Sequence, residues 1–152
     1  MNRIMSFDPG VNSIAVATFD DGVLDWYFFT ECDPKQAVVF LEIIMEQYHP
    51  NTVIIEVPQV YRISKGDPND LVNLALMCGR IDAMARLVDA EVIHVRPRIW
   101  KGQRNKKADN AYTLSLLSAT ELAIFDRCKV IKSKKHNVID AVGIGLWQLK
   151  RR

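Results

Sequence analysis

Residues 3–31 hold three apolar, β-prone runs in succession: RIMSFD, SIAVATFD and GVLDWYFFTE. Asp20-Asp21-Gly22, between the second and third, is a hairpin signal, because an Asp-Gly pair accepts the positive φ angles of a tight turn. Three antiparallel strands therefore open the chain, and whatever follows must cover a sheet that begins this way. The first run ends in an acid, Asp8, followed at once by Pro9 and Gly10. A carboxylate that closes a buried strand is either paired or functional, since an unpartnered charge there is costly.

The next run, PKQAVVFLEIIMEQYH, spaces its apolar residues for a helix and has Pro34 suited to the first turn. NTVIIEV reads as a buried strand stopped by Pro58, PQVYRISKGDP as a loop, and Asn69 to Val88 as a second helix. AEVIHV is a short strand, and a last helix starting near Lys134 carries NVIDAVGIGLWQL on an apolar face. The order β-β-β-α-β-α-β-α predicts a mixed α/β fold, with helices packed on a central sheet. A chain of 152 residues with no repeat, low-complexity stretch or linker is expected to form a single domain, 1–152. No apolar run reaches the roughly 18 residues of a membrane span and no signal-peptide pattern is present, so a soluble, cytoplasmic protein with no membrane partner is expected. Cys32, Cys78 and Cys128 are scattered without a CxxC pair, which suggests neither a zinc site nor a disulfide framework.

The formal net charge of +2 conceals a division along the chain. Residues 1–95 hold 6 bases and 14 acids, a balance of −8, whereas residues 96–152 hold 14 bases and 4 acids, a balance of +10. Two clusters dominate the basic part: RPRIWKGQRNKK, which contains no acid, and RCKVIKSKK. Clusters of this kind neutralise phosphates and release counterions, the main source of non-specific affinity for nucleic acid.

The acids fall at informative points. Asp8 ends the first strand, Glu56 ends the fourth, and Asp140 stands in the first turns of the last helix. If the first and fourth strands are neighbours in the sheet, Asp8 and Glu56 adjoin, and the helix can bring Asp140 to the same place. Three carboxylates in a partly buried site do not stay ionised together without a cation. Hard oxygen donors suit Mg²⁺ or Mn²⁺.

FDPGVNSIAVA, VIIEVPQVY, VRPRIWKGQRNKK and KHNVIDAVGIGLW together resemble the RuvC family of Holliday junction resolvases, particularly its phage-type members, within the ribonuclease-H-like superfamily. The likeness spans the chain. It implies a five-stranded mixed sheet flanked by helices, its first three strands antiparallel. It also implies that Asp8, Glu56 and Asp140 are catalytic, metal-binding acids. Two Mg²⁺ ions roughly 4 Å apart, with Mn²⁺ as a substitute, would drive in-line hydrolysis of a phosphodiester and leave a 5′-phosphate. The implied partners are branched DNA, chiefly four-way junctions, and a second copy of the chain, because a two-fold junction takes two symmetric nicks. The helix from Asn69 to Val88 is the expected dimer face.

The fourth ligand departs from the family pattern. Relatives commonly carry Asp or His three residues before the helix aspartate, where this chain has Asn137, with His136 one residue earlier. Both positions share a helix face with Asp140. Asn137 offers a neutral carbonyl oxygen to a metal; His136 offers a nitrogen suited to Mn²⁺ or to proton transfer. Lys101 matches a basic residue that supports catalysis, and Lys106 or Lys107 is expected to assist from the following loop. Tyr61 falls near a family aromatic that engages bases at the junction centre. Arg96, Arg98, Lys101, Arg104, Lys106 and Lys107 from the first cluster, with Lys132, Lys134 and Lys135 from the second, are the expected DNA contacts. D-x-G on a first strand also opens the phosphate loop of actin-like kinases, but those need two lobes. Two rivals stay open: a small ribonuclease-H-like nuclease of the YqgF type acting on RNA, and a catalytically weak junction-binding module.

Overall fold

The computed structural model describes residues 2–60, 67–127 and 130–152. Strands β1 (Arg3–Gly10), β2 (Ser13–Asp20), β3 (Val23–Glu31), β4 (Thr52–Glu56) and β5 (Glu91–Val95) form one sheet in the order β3-β2-β1-β4-β5. The first three pair antiparallel, while β4 runs parallel to both β1 and β5. The β2–β3 hairpin closes on Asp21 and Gly22 with φ of 47° and 84°, the positive pair that a two-residue primed turn requires. Helix α1 (Pro34–Tyr48) carries the chain from β3 to β4, and α2 (Pro68–Leu87) from β4 to β5. Asp33 starts α1 with a capping box: its side chain accepts from the Gln36 amide, and the Gln36 side chain accepts from the Asp33 amide.

Strand alternation divides the core into two layers. Met5, Phe7, Ile14, Val16, Val53 and Ile55 pack towards Leu41 and Met45 of α1 and towards Met77 and Ile81 of α2. Ile4, Ala15, Ala17 and Ile54 lie on the other face, against Val138, Val142 and Leu146 of α6 (Lys135–Gln148). By the same alternation Ser6 and Asp8 share the face of Ile4, and Glu56 shares that of Ile54. Ser6 is fully buried and donates to the Ala141 carbonyl of α6 at 2.7 Å, which pins the helix to β1. Cys32 and Cys78 are buried free thiols.

Gly145 explains how closely α6 can approach. A Cβ there would run into the ring of Phe19 on β2 and come within 2.8 Å of Ser6 Oγ. Glycine inside a helix ordinarily costs up to about 1 kcal/mol relative to alanine. Gly145→Ala is nonetheless expected to destabilise, by roughly 1–3 kcal/mol of overpacking. A thermal melt checks it, and a rise in Tm would show that the helix has slack against the sheet.

Between β5 and α6 the sequence reading named no element, and the structure places three helices there: α3 (Pro97–Trp100), α4 (Lys106–Ser115) and α5 (Ala119–Arg127). A 3₁₀ turn, Lys132–Lys134, then precedes α6. Lys106 and Lys107, expected in a loop, are the first two residues of α4, whose start is set by the Asn105 side chain accepting from the Ala108 amide at 2.9 Å. These helices are short, 4, 10 and 9 residues, so each offers at most about three turns over which an apolar periodicity could show.

Candidate active site

The β1–β4 ladder pairs Ile4 with Thr52 through to Phe7 with Ile55. One step further along the same register sets Asp8 opposite Glu56. Here the expected adjacency is found, but β1 does not stop at Asp8; Asp8, Pro9 and Gly10 continue pairing with Ala15, Ile14 and Ser13 of β2. Past Phe7 the β4 side of β1 carries no ladder partner, so Pro9 can sit in a central strand without breaking a hydrogen bond. A crevice at the C-terminal ends of parallel strands is where open α/β sheets bind ligands.

Asp140, in the second turn of α6, completes the group. The Asp8 carboxyl is held well above the usual range, first by burial and then by the neighbouring charges of Glu56 and Asp140, with Lys101 and Lys106 opposing. Glu56 is pushed up to about 7, chiefly by burial and further by Asp140, although a hydrogen bond from Trp100 pulls the other way. That bond, from Trp100 Nε1 to Glu56 Oε2, is 2.5 Å long. Trp100 is therefore both core, at 3% exposure, and the orienting donor for Glu56.

Lys101 caps the C-terminus of α3 and reaches back to the same spot, with Nζ 3.0 Å from Asp140 Oδ1. Its ammonium, together with the charge of Lys106, lowers the proton affinity of Asp8. Among the described residues no three His, Cys, Asp or Glu side chains close around a point that could hold a metal ion. The donor set is nevertheless that of a hard cation: the charges of Glu56 and Asp140 raise the proton affinity of Asp8, and that of Asp140 raises the proton affinity of Glu56, a repulsion that a dication would relieve.

His136 and Asn137 occupy the first turn of α6, partly buried. Neither caps it, since Lys134 stands at the N-cap without a side-chain hydrogen bond. Burial and the charge of Lys106 hold the His136 imidazole below its usual range, while Asp140 pulls it upward. His136 is thus within electrostatic reach of the acids.

Both basic clusters send charge to this neighbourhood. Lys106 acts on Asp8 and His136, and Lys134 acts on His136 from the other cluster. Arg96, Arg98, Arg104, Lys106, Lys107, Lys132 and Lys135 are exposed. Arg104 lies over the Tyr112 ring at 4.2 Å and Lys135 over the Phe125 ring at 5.0 Å, while Lys134 pairs with Glu31 at 2.9 Å. Tyr61 falls outside the described residues. Sequence reasoning missed Asp109 and Arg152: Asp109, in the first turn of α4, is fully buried and pairs with Arg152, and its Oδ2 lies 3.8 Å from Lys101 Nζ.

An antiparallel three-stranded start, two parallel strands added beyond β1, and helices packed on both faces of the sheet form a ribonuclease-H-like fold. Within that class the chain shares the architecture of the RuvC resolvases. It superposes on RuvC from T. thermophilus in complex with a Holliday junction substrate with a TM-score of 0.70, covering 96% of this chain and 91% of that one at 12% identity. A second Thermus thermophilus RuvC structure gives 0.64 over 98% and 97% at 13% identity. The yeast mitochondrial Holliday junction resolvase Ydc2 gives 0.61 over 99% of this chain and 80% of that one at 12% identity. No protein-family model and no curated protein matches the sequence. The resemblance drawn from the sequence thus holds for the fold, five-stranded sheet included. Among the described residues no helix is long and apolar enough to cross a membrane.

Proposed function

We propose that this chain is a metal-dependent endonuclease that resolves four-way DNA junctions by paired nicks. What carries the reading is the convergence of Asp8, Glu56 and Asp140 in one crevice, with both basic clusters sending charge to its neighbourhood. Asp8, Glu56 and Asp140 would hold two Mg²⁺ ions, with the Asn137 carbonyl oxygen as a fourth donor. Bound there, the ions supply the Lewis-acid charge that activates water and stabilises the leaving 3′ oxygen.

The remaining work falls to the chain itself. Trp100 fixes the Glu56 carboxylate by its indole N–H, so that one oxygen is oriented and the other left for coordination. Lys101 brings positive charge to the position of the scissile phosphate. His136, its imidazole kept below the usual range by burial and the nearby lysine, is suited to carry a proton beside the acids. The exposed bases of both clusters hold the junction arms by their phosphates. Two symmetric nicks require a homodimer, and α2 offers Val72 and Leu76 exposed one turn apart at 58% and 53%.

The test is a gel assay on labelled four-way junction, matched linear duplex and an RNA junction, each with Mg²⁺ and with chelator. Paired, Mg²⁺-dependent nicks in the DNA junction with the linear duplex spared are expected. Junction binding without cleavage under any divalent ion would make the chain a binding module, and preferential cutting of RNA would move it to another ribonuclease-H-like activity.

A further inference from the structure

Lys101 lies between two carboxylates, not one. Its Nζ is 3.0 Å from Asp140 Oδ1 and 3.8 Å from Asp109 Oδ2. The Asp109 side chain is wholly buried and its two oxygens are unequal. Oδ1 is taken by the Arg152 guanidinium, whereas Oδ2 is buried with no hydrogen-bond partner among the described residues. An unsatisfied carboxylate oxygen in a protein interior is costly and uncommon, so its presence asks for a reason.

Asp109 has little freedom to relieve that cost by turning. Arg152, at 2% side-chain exposure, is itself fixed: Nε donates to the Trp100 carbonyl at 3.1 Å and Nη1 to Thr113 Oγ1. Its guanidinium also lies over the rings of Trp100 and Tyr112 at 4.9 and 5.4 Å. The free oxygen is therefore held facing Lys101, about 1 Å beyond the length of a charge-assisted hydrogen bond.

We propose that Asp109 Oδ2 is a second seat for Lys101, which rests on Asp140 when no divalent cation is bound and shifts to Asp109 when one occupies the acids. The proposal rests on reading Asp140 as a metal ligand. Without the second seat an ammonium displaced from Asp140 would stay beside the incoming dication, like charge against like. With it, the lysine yields its ligand, satisfies the orphan oxygen and keeps its charge near the phosphate. Asp109 is then a positioning residue that acts through Lys101.

Titrating Mn²⁺ into the protein alone, without DNA, and following free Mn²⁺ by electron paramagnetic resonance tests this. Lys101→Met should tighten Mn²⁺ binding by roughly tenfold and Asp109→Asn should weaken it by roughly tenfold, within the usual coupling of contacting residues. In the Lys101→Met background Asp109→Asn should change nothing further. Equal weakening in both backgrounds would make Asp109 merely structural and overturn the second seat. Should Asp109→Asn fail to fold, Lys101→Met decides alone: binding no tighter than wild type overturns the proposal and leaves the metal site standing. If neither wild type nor Lys101→Met binds Mn²⁺, the metal site falls and the proposal with it.

Discussion

Asp8→Asn should abolish nicking while leaving junction binding intact or stronger. Charge stabilisation by an active-site metal is worth several kcal/mol, and a loss of about 4 kcal/mol corresponds to roughly a thousandfold in rate. On the proposed function, binding would draw on other residues, the exposed bases of α3, α4 and the Lys132–Lys134 turn, and the substitution would remove a negative charge facing the DNA. The same variant has a signature in stability. Because the folded-state pKa of Asp8 is raised by burial and by Glu56 and Asp140, folding is penalised once the pH exceeds the unfolded value near 3.8. In chelator at pH 7 Asp8→Asn should therefore melt above wild type, and the gap should close as the pH falls towards about 4. Nicking near the wild-type rate, measured beside an unchanged melting profile, would remove Asp8 from the site.

That Asp8, Glu56 and Asp140 were legible in the sequence while their supports were not has a physical basis. The three acids interrupt apolar periodicities, one within β1, one at the end of β4 and one on a mostly apolar helix, where a charge stands out against its neighbours. A two-residue alternation then fixes the face: Asp8 follows Ile4 and Ser6, and Glu56 follows Ile54. The ladder between β1 and β4, which local sequence does not encode, completes the placement.

Asp109 gives no such signal. In sequence it is an ordinary acid in the first turn of a helix; its complete burial follows from how α4 packs on α6, a tertiary fact. Arg152 reads as a solvated base, yet it is sandwiched between aromatic rings and a buried carboxylate. Trp100 carries no sequence signal of its role, since the hydrogen bond to Glu56 spans 44 positions. Helices α3 to α5 are illegible for a related reason: at 4, 10 and 9 residues they are too short for their apolar spacing to stand out, and their packing is a tertiary fact.

Glu121→Ala should be strongly destabilising although it lies away from the crevice. Glu121, in the first turn of α5, is 1% exposed and receives both nitrogens of Arg151, at 2.7 and 2.8 Å, together with the amides of Leu24 and Ser118. The one carboxylate thus ties the start of β3, the start of α5 and the segment after α6. Burial alone would raise its pKa, but these bonds, led by that from Arg151, bring it down to about 2. Alanine leaves two amides and a partly buried guanidinium without their acceptor. Removing one partner of a buried pair costs about 3–5 kcal/mol, and the 29% exposure of Arg151 places this case near the lower figure. For a domain of this size a loss of about 3 kcal/mol lowers Tm by roughly 6–12 °C. Glu121→Gln should lose less, because the amide oxygen still accepts one bond while its NH₂ faces the Arg151 donor. The folded pKa is depressed, so the carboxylate's contribution is fully present above about 4.5 and fades as the pH falls towards about 2. The difference in urea midpoint between wild type and Glu121→Gln should narrow across that interval, and a pH-independent difference, or a Tm for Glu121→Ala within about 2 °C of wild type, would show that Arg151 and the two amides find other partners.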